Sequence, residues 1–372
     1  MKKKINKYDF LIIGGGLIGS IAALALQQKN LKVLVLEKTK KILDNRTLAV
    51  NSNSKNFLAS LGLWGNFNKR PESIDKIIIK DYVNHEPLVF ENHEPMGYVA
   101  YNHEILKKAR TKLLKSHSLI YNFDFRLNDI LGEKKLIYKN EIYQFKNIVL
   151  SMGKNFNLPN AIYKRNFNSE HKSYVGFFNH SKNHHNIAYE IFTKEGPLAV
   201  LPAPKLNKNQ STFIFSTKNN RSKNNLKRLL SLYFNNSHGS INLLPRISNF
   251  DLAPHLSKIV NDNYILIGDT MRSIHPVAGQ GWNLGIKDIQ TLCSLLETLQ
   301  VDNPKLNSIY HSRRIIESTA YLTFTSLINA LYDNENFFSR SFIKFGYQSL
   351  LKIGALRASF VKQAMGESSL IG

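Results

Sequence analysis

The chain has a single cysteine, Cys293, among 372 residues. One thiol excludes an intramolecular disulfide framework and any multi-cysteine zinc ribbon, and it suits a reducing compartment. Acidic residues are scarce as well: 27 Asp and Glu stand against 50 Lys and Arg, a formal net charge of +23. That balance fits an anionic partner such as nucleic acid, a membrane surface or an acidic substrate. The basic residues are scattered, however, as at Lys38, Lys40 and Lys41 or Lys107, Lys108 and Lys112. No DNA- or RNA-binding signature accompanies them, so nucleic acid is not expected as a partner. The recurrence of Lys, Asn, Ile, Phe and Tyr would equally follow from an AT-rich genome. No clean apolar run reaches the ~18 residues of a membrane span. Residues 10–26 are the strongest candidate, but glycines break them at one edge. The start, Met1-Lys-Lys-Lys, resembles the charged end of a signal peptide. Asp9 and the glycines interrupt the apolar stretch after it, and no cleavage site is evident, so a cytoplasmic chain is expected.

The length exceeds the ~250–300 residues at which a single core stops growing, so two lobes are expected. A hydrophobic content of 43% excludes wholesale disorder. Tyr8 to Gly14 reads as a buried parallel strand, nearly continuous in apolar residues. Gly14-Gly15-Gly16-Leu17-Ile18-Gly19 comes next, then an Ala- and Leu-rich helix from Ser20 to Gln28 and a second strand from Leu31 to Glu37. Each part of this βαβ unit has a physical use. Gly14 allows the tight turn, Gly16 lets a pyrophosphate approach the backbone, and Gly19 lets the helix pack on the sheet. The N–H groups of Leu17 and Ile18 face the phosphates at a helix N-terminus. Glu37, ending the second strand, is placed for ribose hydroxyls, which suits NAD or FAD and disfavours a 2′-phosphate.

Further along, residues 44–64 read as a turn and helix carrying Arg46, and residues 74–90 as antiparallel strands. His103 to Leu114 is a helix, and Ile142 to Leu150 a strand returning to the first sheet. Residues 156–250 are strand-like, with loops at 179–186, 205–210 and 217–225. Tyr264 to Asp269 is a buried strand ending in an acid, Gly281 to Leu299 a helix, and the chain is helical in pattern from Pro304. The segment from Gly268 to Gly285 separates FAD from NAD. Asp269 can bond a sugar-alcohol chain, and the loop Pro276 to Gly281 allows close approach to a flat ring. The helix N-terminus at Gly281, Trp282 and Asn283 can stabilise negative charge on that ring.

Here the sequence resembles the aromatic-ring flavoprotein monooxygenases of the p-hydroxybenzoate hydroxylase fold, and among them the ubiquinone-biosynthesis hydroxylases. Their Gly-Asp…Pro-x-x-Gly-x-Gly-x-Asn pattern is matched at Gly268, Asp269, Pro276, Gly279, Gly281 and Asn283, and their His-Pro-x-Ala-Gly-Gln-Gly run from His275. Asp44-x-Arg46-x-x-Ala49, Gly97-Tyr98-Val99 with Asn102, Gly196 to Pro202 and Ala364-Met-Gly366 resemble further segments of the family. The resemblance implies an α/β fold in which a Rossmann-like FAD-binding domain (1–73, 98–155 and 251–300) is interleaved with an antiparallel-sheet substrate domain (74–97 and 156–250), followed by C-terminal helices (301–372). It implies an FAD-dependent hydroxylase acting on the ring of a polyprenylated phenol, with O2 as co-substrate and NAD(P)H as reductant. The setting would be peripheral to the inner face of a membrane, among other ubiquinone-forming proteins. Gly14 to Gly19, Glu37, Arg46, Asp269, Trp282 and Asn283 would hold FAD, and Pro276, Gly279, Gln280 and Gly281 would flank its ring. No side-chain nucleophile or metal is required. A flavoprotein reductase saturating a prenyl chain and a non-catalytic FAD-binding subunit are the alternatives.

Three positions depart from the family. Arg272 replaces a histidine, His103 replaces an arginine, and Met152-Gly153 replaces an Asp-Gly pair. The resemblance assigns that Asp to the flavin and nicotinamide region, and a thioether can neither carry charge nor accept a strong hydrogen bond. Electrons supplied by a partner protein are therefore expected as an alternative to direct reduction. Other residues read as structural. His180, His184 and His185 fall in an Asn- and Lys-rich stretch and are expected as a solvated loop rather than a metal site. Cys293 is expected as a packed core thiol, and Ser273 with His275 as part of the proline loop. Trp282 could stack on a ligand or pack in the core. The stripe Leu350, Ile353, Leu356, Phe360 and Ala364, accompanied by Lys344, Lys352, Arg357 and Lys362, fits either core packing or a membrane surface.

Overall fold

The computed structural model describes residues 4–42, 46–84, 86–121, 130, 133–154, 162–167, 170–204, 208–259, 264–275, 280–333 and 336–367. The first sheet runs Tyr264–Leu266, Glu141–Leu150, Ile5–Ile13, Val33–Glu37, Leu119–Tyr121, all parallel. Lys135–Tyr138 joins Glu141–Leu150 antiparallel. Phe10 and Ile12 enter one core cluster and Leu11 and Ile13 another. The strand is thus buried on both faces, which is why its sequence shows no alternation.

Helix α1 (Leu17–Gln28) connects the first two strands. It packs on the first face with Ile105, Ala109 and Leu113 of α3 (Asn102–Lys115), and with Ile286, Ile289 and Leu292 of a helix spanning Gln280–Thr298. Cys293 lies in the same cluster. A short helix, α2 (Ser52–Ser60), is capped by Asn51, whose Oδ1 accepts from the Ser54 N–H at 2.8 Å.

The second sheet has seven strands in the order Ile241–Asp251, Lys172–His180, Gln210–Thr217, Gly196–Pro202, Ile187–Thr193, Lys76–Asp81, Leu88–Glu91. Neighbours are antiparallel except Ile187–Thr193 against Lys76–Asp81, which run parallel. Alternating hydrophobicity reveals a half-buried strand but not its direction. These two strands come from distant parts of the chain, with no hairpin between them to fix one. One face of the sheet is covered by α4 (Lys223–His238), through Leu226, Leu230 and Phe234. This helix replaces part of the expected strand-like region and of the loop at 217–225. Its signals are the Ser222 N-cap, whose Oγ accepts from the Asn225 N–H at 3.2 Å, and apolar residues every fourth position. Asn and Lys on its outer face obscure them. The opposite face, through Ile77, Ile79 and Ile214, looks toward the C-terminal helices. With Gln280–Thr298 as α5, these are α6 (Leu306–Asp333), α7 (Phe337–Lys352) and α8 (Gly354–Ala364). Two three-stranded sheets complete the fold: Thr47–Asn51, Gly97–Tyr101 and Glu72–Ile74; and Ile162–Asn166, His255–Ile259 and Arg272–Ser273.

Candidate active site

The parallel strands end together, and the chemistry-bearing turns meet at their C-terminal edge, where open α/β sheets bind ligands. The three glycines of the first turn face different neighbours. Gly14 has φ of +105°, and a Cβ there would lie 2.2 Å from the Ser151 carbonyl oxygen. A Cβ on Gly19 would lie 1.9 Å from the Gly14 oxygen. A Cβ on Gly16 would meet nothing within 4 Å. Gly14 and Gly19 are therefore required by the protein itself, while Gly16 fronts open space. It is also the N-cap of α1 and supplies no side-chain cap to the first-turn amides. An uncapped helix start behind an empty approach fits a phosphate group.

Glu37 lies beside this turn, its Cβ only 2.9 Å from where a Gly15 Cβ would stand. Its Oε1 accepts from the Thr39 N–H at 3.0 Å, and its Oε2 pairs with Arg110 Nη2 at 3.4 Å. Arg110, buried on α3, also donates from Nε to the Gly15 carbonyl at 2.9 Å and from Nη1 to the Thr39 carbonyl at 3.1 Å. One guanidinium thus fixes the glycine turn and the acid relative to each other. Nothing local in the sequence marks Arg110, a helical arginine, as belonging to a distant loop.

The second turn docks against the first through Ile18. A Cβ on Gly268 would touch the Ile18 side chain at 3.3 Å, and one on Gly285 would press on it at 2.7 Å. A charged network lies beneath. Asp288, fully buried, accepts from the Gly268 N–H at 2.8 Å, from Arg272 at 2.8 and 3.0 Å and from Arg314 Nε at 2.7 Å. Arg314 also pairs with Glu317, which Lys287 reaches at 2.6 Å. Arg272, a departure from the family pattern, therefore braces the turn from inside rather than facing the site. Asp269 projects outward from this turn. Protein crowding around its recess pushes its pKa up, and the charges of Arg272 and Arg46 oppose that push. The side chain is still exposed, so the recess is open rather than sealed.

Arg46 is exposed, on the strand-leading segment where its carbonyl accepts from the Asn102 N–H at 3.0 Å. Met152 and Gly153 come after the Glu141–Leu150 strand, and Thr270 Oγ1 accepts from the Met152 N–H at 2.6 Å. Met152 is thus held between the two turns, its side chain against the second core cluster. Asn283 spends its amide on the neighbouring strand, donating to the Ala49 carbonyl at 3.0 Å and accepting from the Asn51 N–H at 3.2 Å. Trp282 packs partly on the first core, and its indole N–H has no partner among the described residues. Asp44, Pro276 and Gly279 lie outside the described residues, as does the side chain of Gln280; Gly281 is in the first turn of α5.

Beside Asn283 a cavity of about 550 Å³ begins. It runs between the seven-stranded sheet and α6 to α8, with walls such as Ile77, Leu201, Phe192 and Phe360. Phe192 stacks on Tyr332 at 4.2 Å, and Glu190 brings a buried carboxylate into the mostly apolar wall. Neither the cavity nor Glu190 was legible in the sequence, since the lining is assembled from segments far apart.

One expectation needs correction, and only in part, since His185 is exposed as expected. His180 and His184 are not in a solvated loop. They are buried with His238 in an aromatic cluster, the His180 and His238 rings 4.6 Å apart and Phe178, Tyr189 and Phe234 around them. The third histidine arrives from α4, which sequence proximity could not reveal. No cluster suited to a metal ion occurs among the described residues. The C-terminal stripe serves both of its expected roles: α7 ends at Lys352, Leu350, Leu356, Phe360 and Ala364 line the cavity, and Ile353 and Leu356 also reach solvent. Elsewhere, burial pushes the Cys293 thiol up to about 11, which fits a core thiol. Ser273 pairs in a short strand with His255, and burial lowers His275 to about 4.

Family models match this chain in two places: an FAD binding domain over residues 164–325 and an NAD(P)-binding Rossmann-like domain over residues 12–43. Among solved structures, p-nitrophenol 4-monooxygenase PnpA from Pseudomonas putida DLL-E4 superposes with a TM-score of 0.74 at 13% identity, covering 97% of this chain and 98% of that one. PqsL, a probable FAD-dependent monooxygenase from Pseudomonas aeruginosa, gives 0.68 at 14% identity, covering 88% and 97%. The fold is that of the FAD-dependent monooxygenases. The chain is also similar to the ubiquinone hydroxylase UbiL of Rhodospirillum rubrum, 25% identical across 97% of this chain and 90% of that one. The human mitochondrial ubiquinone biosynthesis monooxygenase COQ6 is likewise 25% identical, across 87% and 85%.

Proposed function

We propose that this flavoprotein hydroxylates the aromatic ring of a polyprenylated phenol in ubiquinone synthesis. The apolar cavity carries the reading. It begins beside Asn51 and Asn283 and runs out between the C-terminal helices, a shape that admits a ring at one end and an isoprenoid tail toward the other. Reduced FAD, when bound, would supply the two electrons that activate O2, of which one atom would go to the ring and the other leave as water. The chain's own residues bind, orient and shield. Gly16 leaves room for the pyrophosphate, the Leu17 and Ile18 amides face it, and Glu37 takes the ribose. Arg46 and Asp269 take the diphosphate and sugar-alcohol region, and the loop from Pro276 to Gly281 flanks the ring. The aliphatic walls keep water from the reacting atoms, and Glu190 offers an acceptor to a phenolic hydroxyl.

The proposed reductant is NAD(P)H, acting directly or through a partner protein. The proposed setting is peripheral, at the cytoplasmic face of a membrane and with other ubiquinone-forming proteins. No helix among the described residues is long and apolar enough to cross a bilayer. The test uses chemically reduced holoprotein, a prenylated phenol and isotopically labelled O2. One labelled oxygen in the product is expected. A saturated prenyl chain without label would instead identify a reductase, and no turnover with any donor a non-catalytic FAD-binding subunit.

A further inference from the structure

Helix α7 is fastened to the body along one side. Tyr347 donates to the Glu86 carbonyl at 2.6 Å and accepts from the Leu88 N–H at 3.0 Å, with Ile343 buried one turn before it. The other side carries Phe338, Phe342 and Phe345 at i, i+4 and i+7, exposed by 82%, 58% and 72%, and Phe337, at the helix start, by 79%. The exposed Ile353 and Leu356 extend this surface into α8, a helix with no buried residue. Scattered apolar side chains on a surface are ordinary, but a contiguous aromatic patch marks an interaction site.

Charge indicates the partner. From Asn336 to Gly366 the sequence contains Arg340, Lys344, Lys352, Arg357 and Lys362 and no Asp or Glu. All five are exposed, although the Arg357 guanidinium also donates to the Val89 carbonyl and lies over the Phe90 ring. A twofold contact between copies of this face would set these cations against one another, whereas an anionic lipid surface would attract each of them. The cavity opens in the same place, because Phe342 and Leu356, with Phe324 and Leu327 of α6, both line it and reach solvent.

We propose that α7 and α8 are the docking surface by which this protein inserts phenylalanines into the interfacial layer of an anionic bilayer, with the cavity mouth turned toward the acyl chains. The proposal rests on the peripheral-membrane part of the proposed function and assigns it to these residues. A prenyl tail then passes from lipid to cavity without crossing water.

Vesicle flotation of the holoprotein tests it. The natural chain should float with vesicles of equimolar phosphatidylcholine and phosphatidylglycerol at low salt, and less so at high salt. The F338S/F345S variant alters residues outside the cavity wall. It should lose about tenfold or more of this partitioning, since each ring forfeits part of its burial energy in the interface. It should keep its flavin absorbance and its rate on a phenol with a short, soluble side chain, while losing turnover of a long-chain phenol held in vesicles. Lys344→Gln with Lys352→Gln should weaken binding to the mixed vesicles but not to phosphatidylcholine alone. Undiminished flotation of F338S/F345S would overturn the surface assignment and leave the membrane reading intact. Failure of the natural chain to float on either vesicle would remove both, without touching the hydroxylase chemistry. A concentration-dependent dimer in lipid-free buffer, abolished by F338S/F345S, would assign the patch to a second copy instead.

Discussion

Arg110 Nε donates to the backbone oxygen of Gly15 at 2.9 Å, so a side chain from α3 sets the shape of the first glycine turn. The same guanidinium holds Glu37 and the carbonyl of Thr39. Lysine keeps the charge but offers no planar fork that could serve all three acceptors. Arg110→Lys should therefore leave the fold in place and weaken FAD binding by about tenfold, the scale of one charge-assisted hydrogen bond. Fluorescence titration of the apoprotein with FAD measures this. Native affinity in the variant would reduce Arg110 to a packing residue.

Gly16 and Gly19 make a paired prediction. A side chain at Gly16 meets open space, whereas one at Gly19 collides with the Gly14 carbonyl. Gly16→Val should keep the apoprotein's Tm and abolish the flavin spectrum. Gly19→Ala should lower the Tm, at a cost of about 1–3 kcal/mol for overpacking. Full flavin occupancy in Gly16→Val would remove the basis for placing a pyrophosphate there.

The extent to which this arrangement was legible differs by the range of the interactions. The turn from Gly14 to Gly19 could be read because strand, turn, helix and acid succeed one another along the chain, although the carbonyl that excludes a side chain at Gly14 belongs to the distant Ser151. Gly268 and Asp269 could be read for the same reason. Arg110, Glu190 and the Arg272–Asp288 pair could not, since each acts on a segment brought near only by folding. The helix Lys223–His238 was hidden differently. Its buried side repeats every fourth residue, but Lys and Asn between these positions give the average of a polar loop. The exposed phenylalanines of α7 share a helix with Ile343 and Tyr347, and apolar spacing alone does not say which side faces the body.

The Arg272–Asp288–Arg314 network should be costly to break. Asp288→Asn leaves two buried guanidinium groups facing a neutral amide. Removing one partner from such a set costs about 3–5 kcal/mol. Urea denaturation of the apoprotein should show that loss, together with weaker FAD binding as the Gly268 amide loses its anchor. A midpoint within error of the natural chain would show that water reaches and compensates the site.

Acid should destabilise the second lobe through its buried histidines. Burial chiefly, with His180 next, depresses His184 from 6.5 to about 4 and His238 from 6.5 to about 3. The unfolded chain takes up these protons near pH 6.5, and the folded chain cannot. Their contribution is fully present above that pH and is lost as the pH falls toward 4, at up to ~1.4 kcal/mol per pH unit for each group. Urea midpoints measured from about pH 7.5 down to about pH 5 should fall accordingly. His238→Phe, placing a ring among Phe178, Tyr189 and Phe234, should flatten the slope. An equally steep slope in that variant would locate the acid sensitivity elsewhere.

Met152 governs the last prediction, which concerns the route of electrons. Its amide is tied to Thr270, and its thioether stands at the junction of the two turns where the resembling family keeps an acid. A thioether has no charge to orient a nicotinamide and is a poor hydrogen-bond acceptor. The chain has one dinucleotide turn, at Gly14 to Gly19, and FAD is proposed to fill it. Chemical reduction of the flavin should then support hydroxylation, while NADPH alone reduces it slowly. Met152→Asp should speed direct reduction if the missing acid is the cause, at some cost in stability from a carboxylate against the apolar second cluster. Stopped-flow bleaching of the flavin by NADPH, with and without the prenylated phenol, reads the rate. Fast bleaching in the natural chain would sink the argument about Met152 and leave the hydroxylase standing. Slow bleaching in both chains, accelerated only by a reductase added in trans, would place the electron source on a partner protein.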